Sequence, residues 1–147
     1  NWQTTGIVQF QTGNPLSITG ACTFSGASGM GCYADRLKNP NLPSGQQSMD
    51  RWFDTTAFAS TAPYSFGSGS RTEPNLRAPG LISFDSVMSR WQPIRERMRL
   101  QFRAEFYNIL NHPNLGAPAT SITSSTFAQI TSKSGNRTVT MALRLEF

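Results

Sequence analysis

The one histidine of this chain limits the catalytic sites that its sequence can form. His112 stands in the turn-like run Asn111-His112-Pro113-Asn114, and a Ser-His-acid triad would have to use it. A second candidate, Gly67-Ser68-Gly69-Ser70, lacks the lysine and the following helix of a phosphate-binding loop. Both stretches are typical of loop structure, so we expect no enzyme activity and no cofactor.

Two carboxylates and two aromatic rings form the next candidate site. Asp50 and Asp54 lie beside Trp52 and Phe53 in a long stretch without regular alternation. Carboxylate oxygens are ligands for calcium, and the neighbouring rings offer a surface for a sugar. A packed loop segment is the alternative explanation of the same residues. We keep Trp52 and Phe53 as candidate contacts with an external ligand and expect no resident metal.

Two cysteines lie in a stretch rich in glycine and serine. Cys22 and Cys32 are separated by nine residues. A zinc site needs about four ligands, which one cysteine pair does not supply. A disulfide within a loop, formed in an oxidising compartment, is the favoured interpretation, and two free thiols are the alternative.

The basic residues are interleaved with acidic ones. The net charge is +5, and a nucleic-acid interface requires the positive charges to cluster. Glu96 and Glu105 instead interrupt a group of five arginines, which are Arg90, Arg95, Arg97, Arg99 and Arg103. We therefore expect no nucleic-acid partner. Opposite charges that pair across neighbouring strands account for Glu105 and its arginines without catalysis.

The end of the chain alternates without a break. The odd positions are apolar, namely Val139, Met141, Leu143, Leu145 and Phe147. The even positions are small or polar, namely Thr140, Ala142, Arg144 and Glu146. A period of two residues predicts a β-strand over 138–147.

Three further segments alternate in the same way. In 97–107 one face is wholly apolar and the other is charged, whereas 2–11 alternates more weakly. In 81–91 the apolar residues change face, because Val87 and Trp91 have the opposite parity to Ile82, and a β-bulge would explain the change. The sequence thus predicts an all-β chain with about four strands.

The connections between these strands have very unequal lengths. Residues 13–80 and 108–137 form two long loops, whereas the connection around Pro93 is the tightest turn. Long structureless loops are uncommon in compact soluble domains. Transmembrane barrels, in contrast, have short turns on the periplasmic side and long loops outside. We therefore predict an antiparallel meander of four membrane-spanning strands whose C-terminus lies on the periplasmic side.

Several motifs in this chain are similar to those of a known family. The motifs are Gly13-Asn14-Pro15-Leu16, Arg51-Trp52-Phe53-Asp54-Thr55, Leu100-Gln101-Phe102-Arg103-Ala104-Glu105-Phe106-Tyr107-Asn108 and Asn111-His112-Pro113-Asn114. Together they resemble the C-terminal region of Oar-like TonB-dependent outer-membrane receptors. The resemblance implies a large barrel of about 22 strands in the outer membrane of a Gram-negative cell. It also implies binding and energised uptake of an unidentified ligand.

The same resemblance implies that this chain is a C-terminal fragment. In the family the plug domain, through which the TonB complex acts, lies on the N-terminal side. The residues Asn1-Trp2-Gln3-Thr4-Thr5 show neither the basic nor the apolar region of a signal peptide. We expect both the plug and the signal peptide to lie outside this chain.

The terminal alternation also resembles the C-terminal signal of barrel proteins. In such proteins an aromatic last residue, preceded by alternating apolar positions, is recognised by the barrel-assembly machinery. Here that role would belong to Val139, Met141, Leu143, Leu145 and Phe147. The implied partners are therefore the assembly machinery and the lipid of the outer membrane.

Two alternatives remain open from the sequence. One is a complete small barrel that acts as a porin or adhesin, although eight strands need about 80 residues in strand and only four segments alternate. The other is a secreted sugar-binding β-sandwich, in which Trp52 and Phe53 would stack on the sugar. In the sandwich, the apolar side of 98–106 would form the core.

Overall fold

The computed structural model of the chain describes residues 2–21, 32–43 and 45–147. The elements in chain order are β1 (Trp2–Gln11), β2 (Asp35–Arg36), a 3-10 helix (Thr55–Ala57), β3 (Phe58–Ala59), β4 (Leu81–Arg95), β5 (Met98–Tyr107), β6 (Asn114–Leu115), β7 (Lys133–Ser134) and β8 (Thr138–Glu146). No helix in these ranges has the length and apolar composition needed to cross a membrane.

The four long strands form one antiparallel sheet in the order β1-β4-β5-β8. The predicted all-β fold and its antiparallel meander are therefore confirmed. Both long connections leave this sheet at the same end, where Gln11 is paired with Leu81 and Tyr107 with Thr138. The short β4–β5 turn lies at the opposite end. Two further sheets have two strands each, β2 with β3 and β6 with β7.

The irregular part of β4 lies outside the segment predicted to contain it. Pairing with β1 is unbroken from Leu81 to Arg90, so no bulge is needed in that range. The register instead shifts between Pro93 and Arg95. The prediction that Pro93 occupies the tightest turn is wrong, because Pro93 is paired with Arg99 within the ladder. Proline has no N–H to donate to the ladder, which explains why it lies where regular pairing ends.

The sheet has one apolar and one polar face. We use the term apolar face for one side of this sheet. It comprises the even-numbered positions of β1, β5 and β4 as far as Gln92, and the odd-numbered positions of β8. The register places all of these on one side, since Val8 opposes Phe84, and Phe102 opposes Leu143. Val87 and Trp91 belong to the polar face, opposite Glu105 and Gln101. Val87 and Trp91 therefore have the opposite parity to Ile82 because they lie on the other face of β4.

The chain divides into two compact units. The sheet unit comprises residues 1–12, 80–114 and 134–147, and the loop unit comprises 13–79 and 115–133. The loop unit contains its own hydrophobic core, whose buried members are Leu16, Ile18, Ala34, Phe53, Ala57, Phe58, Leu76 and Ala128. The two stretches that the sequence shows only as loops are thus packed against each other within one folded unit.

Candidate functional site

The apolar face of the sheet unit is exposed along its edge strands. On β8 the apolar side chains of Val139, Met141, Leu143 and Leu145 are all exposed, with Leu143 at 71%. On β1 the side chain of Phe10 is 73% exposed. Water-soluble monomers rarely expose contiguous apolar surface of this kind, so the face is suited to contact with lipid.

The five predicted assembly residues fall into two groups. Val139, Met141, Leu143 and Leu145 lie on the apolar face, opposite Phe106, Ala104, Phe102 and Leu100 of β5. Phe147 follows the last residue of β8 and is 94% exposed. The structure thus leaves all five accessible to a partner, and their recognition by the assembly machinery stays a prediction.

The polar face carries a chain of ion pairs. Arg99 and Glu146 oppose each other directly, with 2.8 Å between Nη2 and Oε2, and Arg144 approaches Glu146 at 3.1 Å. Glu105 pairs along its own strand, 2.6 Å from Arg103, and also accepts a hydrogen bond from the hydroxyl of Tyr107 at 3.1 Å. These contacts explain the charges around Glu105 as structural partners on one face of a sheet.

Asn108 forms a clamp at the end of the sheet where the long connections leave it. Its backbone has a positive φ of 48°, and its N–H donates to Asp85 Oδ1 at 2.8 Å. Its side chain is buried and binds three backbone groups. Nδ2 donates to the carbonyl oxygens of His112 and Gly135, and Oδ1 accepts from the N–H of His112. Among these contacts His112 takes part through its backbone, which argues for a structural role of this run.

We predict that replacing Asn108 by alanine loosens the backbone around it. The change removes three buried hydrogen bonds, and each group left without a partner costs about 1–3 kcal/mol. We expect faster hydrogen–deuterium exchange in peptides covering 108–114 of the folded protein. Asn111→Ala is the control, because Asn111 is exposed and also has a positive φ, of 53°. Equal acceleration by both variants would mean that backbone strain, and not the clamp, determines the effect.

Phe53 does not have the exposed position expected of a contact with an external ligand. The ring of Phe53 is fully buried and makes edge-to-face contacts with Phe58 at 6.0 Å and Phe127 at 5.2 Å between ring centroids. It therefore offers no surface to an external ligand. Trp52 is half-buried at the edge of this core, and its Nε1 donates to the carbonyl oxygen of Arg77 at 2.7 Å. A ligand contact by Trp52 stays a prediction.

Asp54 is fully engaged within the loop unit. Its carboxylate accepts hydrogen bonds from the N–H and hydroxyl of Thr56 and so caps the 3-10 helix. Lys38 lies 2.7 Å away and Arg51 3.1 Å away. The hydrogen bond from Lys38, followed by those from Thr56, holds the pKa of Asp54 well below its usual range. Of the two interpretations of Asp54, these contacts favour the packed loop segment. The described ranges contain no group of three His, Cys, Asp or Glu side chains that could hold a metal.

A buried ion pair in the loop unit was not visible in the sequence. The side chain of Glu73 is 1% exposed, and its Oε2 lies 3.2 Å from Nη1 of Arg36. Neither carboxylate oxygen has a well-oriented hydrogen-bond donor within the described part of the chain, so Arg36 compensates the buried charge electrostatically. Glu73 stands between Thr72 and Pro74 in a stretch without periodicity, and nothing in the sequence marks it as buried.

The predicted disulfide joins two cysteines, of which the structure describes one. Cys22 lies outside the described residues, whereas Cys32 lies within them. The pairing of Cys22 with Cys32 stays a prediction.

Comparison with known proteins identifies the family. No curated protein and no solved structure matches this chain. The family model for the outer membrane beta barrel domain matches residues 1–140, which include β1, β4, β5 and the start of β8. The match overturns the secreted β-sandwich, in agreement with the exposed apolar face of the sheet. The chain therefore belongs to the outer membrane beta-barrel domain family.

Proposed function

We propose that this chain is the C-terminal part of a TonB-dependent receptor of a Gram-negative cell, which binds an unidentified ligand and takes it up with energy from the TonB complex. The motifs that resemble Oar-like receptors support this proposal. The structural observation that carries it is the folded core of the loop unit, in which Phe53 and Leu76 are buried. In this proposal the chain itself carries out no catalysis.

The folded loops favour a receptor over a simple pore. Ordering a residue costs about 1–2 kcal/mol of conformational entropy. If the loop were disordered, the contacts with the ligand would have to offset that cost on binding. In this chain the entropy is already lost on folding, because the hydrophobic core and the Arg36–Glu73 ion pair order the loop unit before any ligand binds. A preordered surface is suited to selective binding.

The partners follow from this proposal. The plug would lie in the parent protein, on the N-terminal side of this chain, and would contact TonB. The exposed apolar face would contact membrane lipid, and the terminal strand would be recognised by the barrel-assembly machinery. We propose no nucleic-acid partner, because the arginines of the polar face are paired with Glu105 and Glu146.

The experiment uses the full-length parent protein, purified and reconstituted in planar bilayers. We expect no steady conductance, because a plug closes the barrel, and we expect saturable binding of the purified periplasmic domain of TonB. A constantly open pore without TonB binding would contradict the proposal and would favour the porin alternative.

Deletion of Phe147 is expected to lower the amount of folded barrel several-fold while leaving expression unchanged. The physical reason is the loss of an aromatic residue that we expect at the membrane interface and within the proposed assembly signal. Heat-modifiable gel mobility of outer-membrane fractions measures the folded amount. Phe147→Tyr keeps an aromatic ring and serves as the control. Normal assembly after the deletion would show that Phe147 has no role in recognition.

A further inference from the structure

Arg90 places a positive charge on the apolar face of the sheet, within its regularly paired part. Arg90 in β4 opposes Trp2 of β1 on one side and Phe102 of β5 on the other. Its guanidinium is 5.3 Å from the centroid of the Trp2 ring, and that ring makes an edge-to-face contact with Phe102. The charged group thus lies over the Trp2 ring, on the face that proteins of this family turn toward lipid.

The surroundings of Arg90 contain no acidic side chain on the same face. Its nearest same-face neighbours along and across the strands are Trp2, Met88, Gln92 and Phe102. Within the described ranges Arg90 forms no ion pair, whereas Arg99, Arg103 and Arg144 on the polar face all do. Because β4 is paired on both sides, these neighbours are the ones that the barrel wall provides.

The side chain of Arg90 is oriented toward the short turn. Its Nη2 donates to Oε1 of Gln92 at 3.0 Å, and Gln92 is closer to the β4–β5 turn. In barrels of this type the short turns lie on the periplasmic side. Long basic side chains near such an interface extend toward the headgroups while their apolar stems stay in the membrane. The charge of Arg90 is therefore directed toward the phosphates of the periplasmic leaflet.

An uncompensated arginine that faces lipid is unfavourable, most strongly at the midplane and less near the interface. An anion supplied by the membrane removes this cost. Apolar surface continues beside Arg90 across Phe102 to Leu143, and across Leu100 to Leu145. The surface therefore joins a site for a phosphate to a site for an acyl chain.

We propose that Arg90, oriented by Trp2 and Gln92, binds the phosphate of an anionic phospholipid whose acyl chain packs on Leu100, Phe102 and Leu145. This site is separate from ligand uptake, and it rests on family membership and on the geometry of the sheet. The bound lipid would belong to the periplasmic leaflet.

Native mass spectrometry of the full-length protein, released from detergent with added phosphatidylglycerol, tests the proposal. We expect Arg90→Gln to weaken binding of the tightest lipid about tenfold, as for the loss of a charged hydrogen bond. Arg97→Gln is the matched control, because Arg97 lies in the exposed turn and its loss changes the net charge equally. Equal binding by wild type and Arg90→Gln would overturn the proposal.

Two comparisons with the wild-type protein need no variant to fold. A diacylglycerol, which lacks the phosphate, is expected to bind much more weakly than phosphatidylglycerol. Soluble glycerol 3-phosphate, which lacks the chains, is expected not to displace the lipid. Tight binding of diacylglycerol would exclude phosphate recognition, and displacement by glycerol 3-phosphate would reduce the site to a simple anion site; either result overturns the proposal.

Discussion

Replacing Leu143 by arginine is expected to reduce the folded barrel in the outer membrane to a small fraction of the wild-type level. Leu143 is 71% exposed on the apolar face, near the middle of β8. A charge on the lipid face costs about 2–4 kcal/mol near the midplane, which is a large part of the stability of one protein. Outer-membrane fractionation with heat-modifiable gel mobility measures the folded amount.

Thr140→Arg provides the matched control for this prediction. It introduces the same side chain into the same strand, but on the polar face, directly opposite Glu105. An opposite-charge pair across two strands contributes roughly 0.2–1 kcal/mol, so we expect nearly normal assembly. If Leu143→Arg assembles as well as Thr140→Arg, the apolar face does not contact lipid.

Replacing Arg36 by alanine is expected to open the loop unit while the sheet unit stays folded. The change leaves the carboxylate of Glu73 buried without its compensating charge. Breaking a buried pair costs about 3–5 kcal/mol, which is an upper bound here because the side chain of Arg36 is 28% exposed. Hydrogen–deuterium exchange and limited proteolysis of the folded full-length protein would detect opening in 13–79.

Two variants separate the buried charge from other causes. Arg36→Ala combined with Glu73→Gln removes the uncompensated charge and should recover part of the lost protection. Arg51→Ala removes an exposed partner of Asp54, whose carboxylate keeps Lys38, and should have little effect. If the double variant exchanges as fast as Arg36→Ala, the contribution of Arg36 is packing and not charge.

The strands were predictable because their physical requirements are local. A strand with one apolar face must alternate, so the segments around Phe102 and Leu143 could be recognised from spacing alone. The details near Pro93 could not, because a register shift depends on how two strands meet. The parity of Val87 was visible in the sequence, but its cause, a place on the polar face, required the pairing with β5.

The loop unit was not predictable for a different reason. Its core joins residues far apart in the chain, as when the N–H of Leu16 donates to the carbonyl oxygen of Leu76. No periodicity marks such residues, so Phe53 could be taken for a surface contact and Glu73 for a solvated acid. Asn108 was visible within a motif, but its role depends on Gly135, which reaches it only in the folded chain.

From the contacts within the loop unit we also expect a definite order of folding. The N–H of Trp52 donates to the carbonyl oxygen of Ala128, and the N–H of Ile130 donates to the carbonyl oxygen of Met49. Backbone groups of the longer connection thus find their hydrogen-bond partners in the shorter one. Contacts of such high sequence separation form late, because a large loop must first be closed. We therefore expect 13–79 to complete its part of the core only after 115–133 has packed against it. An insertion in 115–133 would therefore delay or prevent the folding of 13–79, although the sequence of 13–79 is unchanged.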